Sequence, residues 1–172
     1  MECIPERDLS CKRKALRESS ATLSGAMTSS ESDRGRRIAV LSVCRHNAVR
    51  SQMAEALLRA RFPERYEVAS AGTAPAGVHP LALRVLDEIG TPTAVLRSKG
   101  VGELVDRAFD VVVTVCGRDE PSCPFFPGGQ QLHRVFNDPS MKIGSEEARV
   151  AAFRGTRDEI DSWIRDTFAT GP

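Results

Sequence analysis

Apolar positions recur along this chain in two alternating rhythms. Ile38-Ala39-Val40-Leu41-Ser42-Val43 is a short apolar run with β-branched residues, which predicts a buried strand. Met53, Ala54, Leu57 and Leu58 then recur at helical spacing and share one face. Tyr66-Glu67-Val68-Ala69-Ser70 predicts a second strand, ended by Gly72. Residues 79–89 predict a helix with Leu83, Val85 and Leu86 inside and Gly90 past its end. The strongest strand signal is 109–115, followed by a Pro- and Gly-rich loop over 116–129 and a short strand at 132–136. Ser145 caps a long final helix, Glu146 and Glu147 suit its positive end, and Val150, Phe153, Ile160, Ile164 and Phe168 mark its buried stripe. Met53, Leu57, Leu86 and Trp163 are assigned to the core. Strands alternating with helices imply an α/β fold with a parallel sheet covered on both faces, and a ligand site at the carboxyl ends of the strands.

Residues 1–36 break the rhythm. They hold nine Ser or Thr, seven basic and six acidic side chains and no aromatic ring, so they predict a disordered tail ahead of one domain at 37–172. The tail lacks the apolar core of a signal peptide, and Glu2, Glu6, Asp8 and Glu18 argue against a transit peptide; Met27 is an alternative start. Composition narrows the function classes. No apolar run approaches the roughly 18 residues of a membrane span. A net charge of +1 offers no electrostatic case for nucleic acid, and one Trp and one Tyr leave few stacking surfaces. Five cysteines, an odd count at uneven spacing, point to a cytoplasmic, reducing setting in which thiols do chemistry.

The first strand runs directly into Cys44-Arg45-His46-Asn47-Ala48-Val49-Arg50-Ser51: a Cys, five residues, an Arg, and a Ser at a helix start. A loop between strand and helix can turn its backbone N–H groups inward, and the helix end adds its positive pole. Arg45, His46, Asn47, Ala48, Val49 and Ser51 would then cradle a tetrahedral oxyanion, with Arg50 forking onto two of its oxygens. The same field favours the thiolate of Cys44, placed for attack on the central atom, and Ser51 can donate to that thiolate. The alternative is a buried structural Cys with a surface Arg; the strand before and the amphipathic helix after favour the cradle.

Val43-Cys44-Arg45-His46-Asn47-Ala48-Val49-Arg50-Ser51-Gln52-Met53-Ala54-Glu55, with Ser70-Ala71-Gly72-Thr73, resembles the low-molecular-weight tyrosine phosphatase superfamily, and within it the thioredoxin-coupled arsenate reductases. The likeness covers about 37–168. It implies a four-stranded parallel sheet flanked by helices. It also implies that Asn47 braces the loop and that Asp138, in Asn137-Asp138-Pro139, is the general acid; taken alone, Asp-Pro is also a turn starter. His46 replaces a frequent Gly, and Val49 stands where some members carry a further Cys. Tyrosine phosphatases of the family commonly place aromatic residues after Asp-Pro; this chain has Ser140 and Met141. Phe125 and Phe126 are candidates to line the cleft, or for the core.

Arsenate and phosphate share shape and charge, so redox chemistry must separate them. By resemblance, Cys44 attacks arsenate, Cys116 attacks Cys44, and Cys123 attacks Cys116 to leave a disulfide for thioredoxin or an equivalent thiol reductant, with no bound cofactor. A helix over seven residues would hold Cys116 and Cys123 about 10 Å apart, too far for a disulfide, so that segment must be a loop or must unwind. The alternatives are two small buried hydrophobes, or a zinc site with His133, which lacks a fourth ligand. Some relatives bind potassium through residues matching Asn47, Glu55 and Ser70 plus an acid; here Lys99 stands at that acid position, and its ammonium would fill the cation's place. The sequence therefore reads as a monomeric arsenate reductase. The competing readings are a low-molecular-weight phosphatase acting on phosphate esters and an oxyanion- or redox-sensing module.

Overall fold

A computed structural model describes residues 35–116 and 126–172. The tail expectation for 1–34, and the expectations for Cys123 and Phe125, therefore lie outside the described residues. The described residues include Arg36, which the sequence pattern places in the tail. Its guanidinium forks onto both carboxylate oxygens of Asp110, at 2.9 Å each, and Asp110 also accepts the N–H of Ala39 at 2.8 Å.

Four strands form one parallel sheet: β1 (Ile38–Cys44), β2 (Tyr66–Gly72), β3 (Val111–Thr114) and β4 (Gln130–His133), in the order β2-β1-β3-β4. Between and after them run α1 (Arg50–Arg61), α2 (Pro80–Asp87) and α3 (Glu146–Phe168), with 3-10 turns at Val101–Leu104 and Pro139–Met141. The pleat of β1 divides its side chains between two cores. Val40 and Cys44 face a cluster built with Met53 and Leu57 of α1, Val85 and Leu86 of α2, and Phe153, Ile160, Ile164 and Phe168 of α3. Ala39, Leu41 and Val43 face a second cluster with Ala69, Ala71, Val112, Phe109 and Phe126, covered by Val101 and Leu104. Phe126 is thus core, edge-on to Phe109, and not a cleft wall.

The pattern located every strand, with shifted ends. The β3 ladder runs past its formal bounds through Asp110 N–H to Ala39 O and Val115 N–H to Val43 O. β4 begins two residues before the expected strand, and Phe136 lies beyond it. As an edge strand it needs no apolar run: Gln130, Gln131 and His133 are exposed. Leu83 is half-buried; Ala82 takes the interior position beside Val85 and Leu86. Trp163 is likewise only partly buried, packed against Phe136 and Phe168.

This topology places the site. From β1 the chain moves to β2 on one side; it later returns to β3 on the other. The carboxyl end of β1 is therefore a switch point of the sheet, where neighbouring connections diverge and leave a crevice.

Candidate active site

Cys44 is the last residue of β1, and residues 45–49 carry the chain into α1. The loop is tied at several carbonyls. Ala74 N–H donates to Arg45 O at 2.9 Å, Ala76 N–H to His46 O at 3.0 Å, and His79 N–H to Ala48 O at 2.9 Å. Gly72 lets β2 approach: a Cβ there would lie 2.6 Å from Arg45 O and 2.8 Å from Asn47 N. No side chain caps the start of α1, and its first turn holds no acid, so its amides remain available to an anion.

Asn47 holds a left-handed backbone at φ 45°, and its buried amide fixes the turn. Its Nδ2 donates to Ser51 Oγ at 2.9 Å and to Ser70 Oγ at 2.8 Å, while its Oδ1 accepts from Gln52 Nε2 at 2.9 Å and from Lys99 N–H at 2.7 Å. Because Ser51 Oγ accepts from Asn47, its own proton is free for Cys44 Sγ, 2.9 Å away. Asn47 N–H donates to the same sulfur at 3.2 Å. Ser51 Oγ and Asn47 N–H thus converge on the Cys44 sulfur.

The chain of bonds continues inward. Ser70 Oγ donates to Glu55 Oε2, which also takes Lys99 Nζ at 3.2 Å; Arg59 holds the other oxygen at 2.5 Å. Lys99 is 8% exposed and Glu55 2%. An ammonium bonded to Glu55 and to Arg97 O leaves no fit for a metal cation at this carboxylate.

Across the crevice, Arg50 Nη2 donates to Asp138 Oδ2 at 2.8 Å, and Ser140 holds Asp138 Oδ1 through its N–H at 3.0 Å and its hydroxyl at 2.6 Å. Arg50 Nη1 also reaches Phe136 O at 3.4 Å. Cys44, His46, Ala48, Val49, Arg50, His79, Asp138 and Ser140 line one cleft of about 60 Å³. That is far below the roughly 300–1,000 Å³ of sites enclosing drug-sized ligands, and it suits a small anion. In a larger hollow lined by Arg84, Glu146, Glu147 and Arg154, Arg84 pairs with Glu146 and Arg154 with Glu88. Arg45 and His46 are exposed at the cradle's rim.

Cys116 is fully buried, just past β3. Val43 pairs in register with Thr114, so Cys116 stands one residue beyond the position level with Cys44, at the same end of adjacent strands. No group of His, Cys, Asp and Glu suited to a metal occurs among the described residues.

His79 is the cleft residue that the sequence reading missed, because there it marked only a helix start. It is the N-cap of α2, accepting Leu81 N–H at Nδ1 (3.1 Å), and its ring lies 4.8 Å from that of Phe153. Burial, and next the Arg149 guanidinium, push its imidazole below the ordinary histidine value; Asp138 acts the other way. The only local signal was His79-Pro80, a cap followed by Pro.

The profile of the low molecular weight phosphotyrosine protein phosphatase family matches residues 39–169. An arsenate reductase of Halalkalibacterium halodurans is 35% identical over 130 residues, 75% of this chain and 94% of that protein. One of Bacillus subtilis is 32% identical over the same shares of each. The structure of a Corynebacterium glutamicum thioredoxin-dependent arsenate reductase superposes with a TM-score of 0.61 at 32% identity, over 81% of this chain and 64% of that one, so this chain spans just under two thirds of its length. A tyrosine phosphatase of Erwinia amylovora shares the fold at a TM-score of 0.58 and 20% identity. No described helix is long and apolar enough to cross a membrane. With its profile match over most of the chain, and with arsenate reductases among its relatives, the protein belongs to the low-molecular-weight phosphotyrosine protein phosphatase family.

Proposed function

We propose that this protein reduces arsenate to arsenite through a thiol relay. The Cys44 thiolate attacks arsenic(V) in the cradle formed by residues 45–51, while Arg50 neutralises two oxygens and Asp138 protonates the departing oxygen, which leaves as water. Cys116 then attacks the Cys44 sulfur. A Cys44–Cys116 disulfide forms, the S–As bond breaks, and its electron pair stays on arsenic, which leaves as arsenite. Cys123 attacks Cys116, releasing Cys44 as thiolate and leaving a Cys116–Cys123 disulfide. A thioredoxin-like dithiol donor returns two electrons to that bond, with no bound cofactor. The likeness to a thioredoxin-dependent relative supports that donor, and a site that works through thiols fits a reducing cytoplasm. We read the working unit as a monomer, since one chain supplies every group invoked.

One observation carries the reading: a second buried thiol, Cys116, stands at the same sheet end as the nucleophile, just past the adjacent strand and one residue beyond the level of Cys44. A phosphatase does not need it. The cradle and acid alone would also cleave a phosphate ester, which keeps that second reading in play. Met141 is 77% exposed, and Ser140 is spent on Asp138, so neither forms a wall for an aryl ring. The test is arsenite release with thioredoxin, thioredoxin reductase and NADPH, run beside hydrolysis of an aryl phosphate. Sustained arsenite production supports reduction; ester hydrolysis without arsenite would establish the phosphatase.

A further inference from the structure

His79 enters none of the steps above, yet it shares the cleft with Cys44, Arg50 and Asp138. Three contacts fix its chemistry. Its backbone N–H is bonded to Ala48 O in the anion loop, so ring and cradle keep a constant relation. Its Nδ1 accepts the N–H of Leu81, so that nitrogen holds a lone pair and the neutral ring carries its proton on Nε2, at the distal end. Its face rests against the buried Phe153, which restricts rotation. Protonating Nδ1 would break the cap and set a cation at the positive end of α2, so the structure holds this ring as a neutral donor. The charged groups facing it are Arg149 of α3 and Asp138 opposite.

We propose that His79 is a substrate-binding residue, whose Nε2–H donates to an oxygen of the bound anion on the side of Asp138, and that this rigid wall selects small unesterified tetrahedral oxyanions. The inference deepens the proposed function and rests on the same cradle. The loop amides lie on the side of the anion where the thiolate stands. The outward oxygen, which must accept a proton from Asp138, gains no donor from these amides. A neutral N–H supplies one without competing as an acid, and the Phe153-backed ring occupies space that an ester's organic group would need.

His79→Asn separates binding from capping, because Asn is itself a good N-cap but lacks the distal donor. His79→Ala removes both. The probe is inorganic phosphate, titrated for its protection of Cys44 against alkylation in the reduced full-length protein, with thermal unfolding followed in parallel. Loss of one hydrogen bond to a charged ligand should raise the phosphate dissociation constant by about tenfold in both variants. His79→Asn should unfold close to wild type, and His79→Ala earlier. If His79→Asn binds phosphate within about twofold of wild type while His79→Ala does not, His79 is only a cap and the proposal is overturned. The readout is binding, so the hydrogen bond from His79 is tested whether or not arsenate is reduced, whereas efficient hydrolysis of an aryl phosphate would overturn the exclusion of esters.

Discussion

The guanidinium of Arg50 and the carboxylate of Asp138 form one ion pair, 2.8 Å apart across the mouth of the cleft. Arg50 is 5% exposed and Asp138 23%, so the pair is partly screened from solvent. The same guanidinium is the fork proposed to grip the anion. In the proposed mechanism an incoming dianion would compete with Asp138 for Arg50, and Arg50 would couple filling of the cradle to release of the acid.

Lysine cannot fork onto two oxygens, so Arg50→Lys tests this coupling. Removing one positioned oxyanion donor costs on the order of 100-fold in turnover. Arg50→Lys should lose about that much kcat/KM for arsenate. A loss below about fivefold would show that the fork is dispensable.

Asn47 sets strain against hydrogen bonding. Asn47→Gly relieves a left-handed residue, a gain of about 1 kcal/mol. It also removes four side-chain bonds, to Ser51, Ser70, Gln52 and Lys99, worth about 1 kcal/mol each. The bonds win, so urea unfolding should find Asn47→Gly destabilised by about 2–3 kcal/mol. A stabilised variant would mean that the network carries little energy.

The Lys99 ammonium lies 3.2 Å from Glu55 Oε2 and so neutralises the carboxylate that a monovalent cation would need. Added potassium should therefore leave activity unchanged at constant ionic strength. Lys99→Met leaves the buried Glu55 carboxylate with Arg59 as its one cationic partner among the described residues, and should lower both stability and activity. A marked rise in wild-type activity with potassium would contradict this placement of the ammonium.

His79 makes stability depend on pH. Its folded imidazole resists protonation, chiefly through burial and then through Arg149, so the unfolded chain binds that proton more readily. The resulting stability is fully present above the ordinary histidine value of 6.5 and is lost as pH falls below it, toward the depressed folded value. Thermal unfolding from pH 7.5 to 5 should show this slope in wild type and a shallower one in His79→Asn. Equal slopes would mean that His79 titrates alike in both states.

Legibility followed the physics of each element. β1, β2 and α3 could be read because their apolar residues repeat at the period of the structure they form. β4 was misplaced by two residues because an edge strand exposes Gln130, Gln131 and His133, and Gly129, which packs against the backbone of Phe109 and Asp110, brings it in early. Cys44 and Arg50 are six residues apart in one loop, so spacing exposed them. His79 shares a cleft with Asp138, fifty-nine positions away, and no local pattern reports such a meeting. Lys99 reached Glu55 in the same way, visible beforehand only through likeness to relatives.

The pleat also constrains the relay. Val43 and Thr114 are in register, and Cys44 shares a core with Val111, Val113 and Val115. Continuing the alternation of β3 would turn residue 116 to the opposite face of the sheet from Cys44. Bond formation therefore requires the chain after Val115 to turn. Hydrogen exchange over 117–130 should differ between the reduced and oxidised proteins; equal exchange would leave the relay without its movement.

The decisive measurement is arsenite released per enzyme by Cys123→Ser in the thioredoxin-coupled assay. A relay through Cys123 gives a burst of about one arsenite and then a stall, because the Cys44–Cys116 disulfide has no partner to resolve it. Steady turnover at the wild-type rate would show that Cys123 carries no electrons and that the relay does not operate.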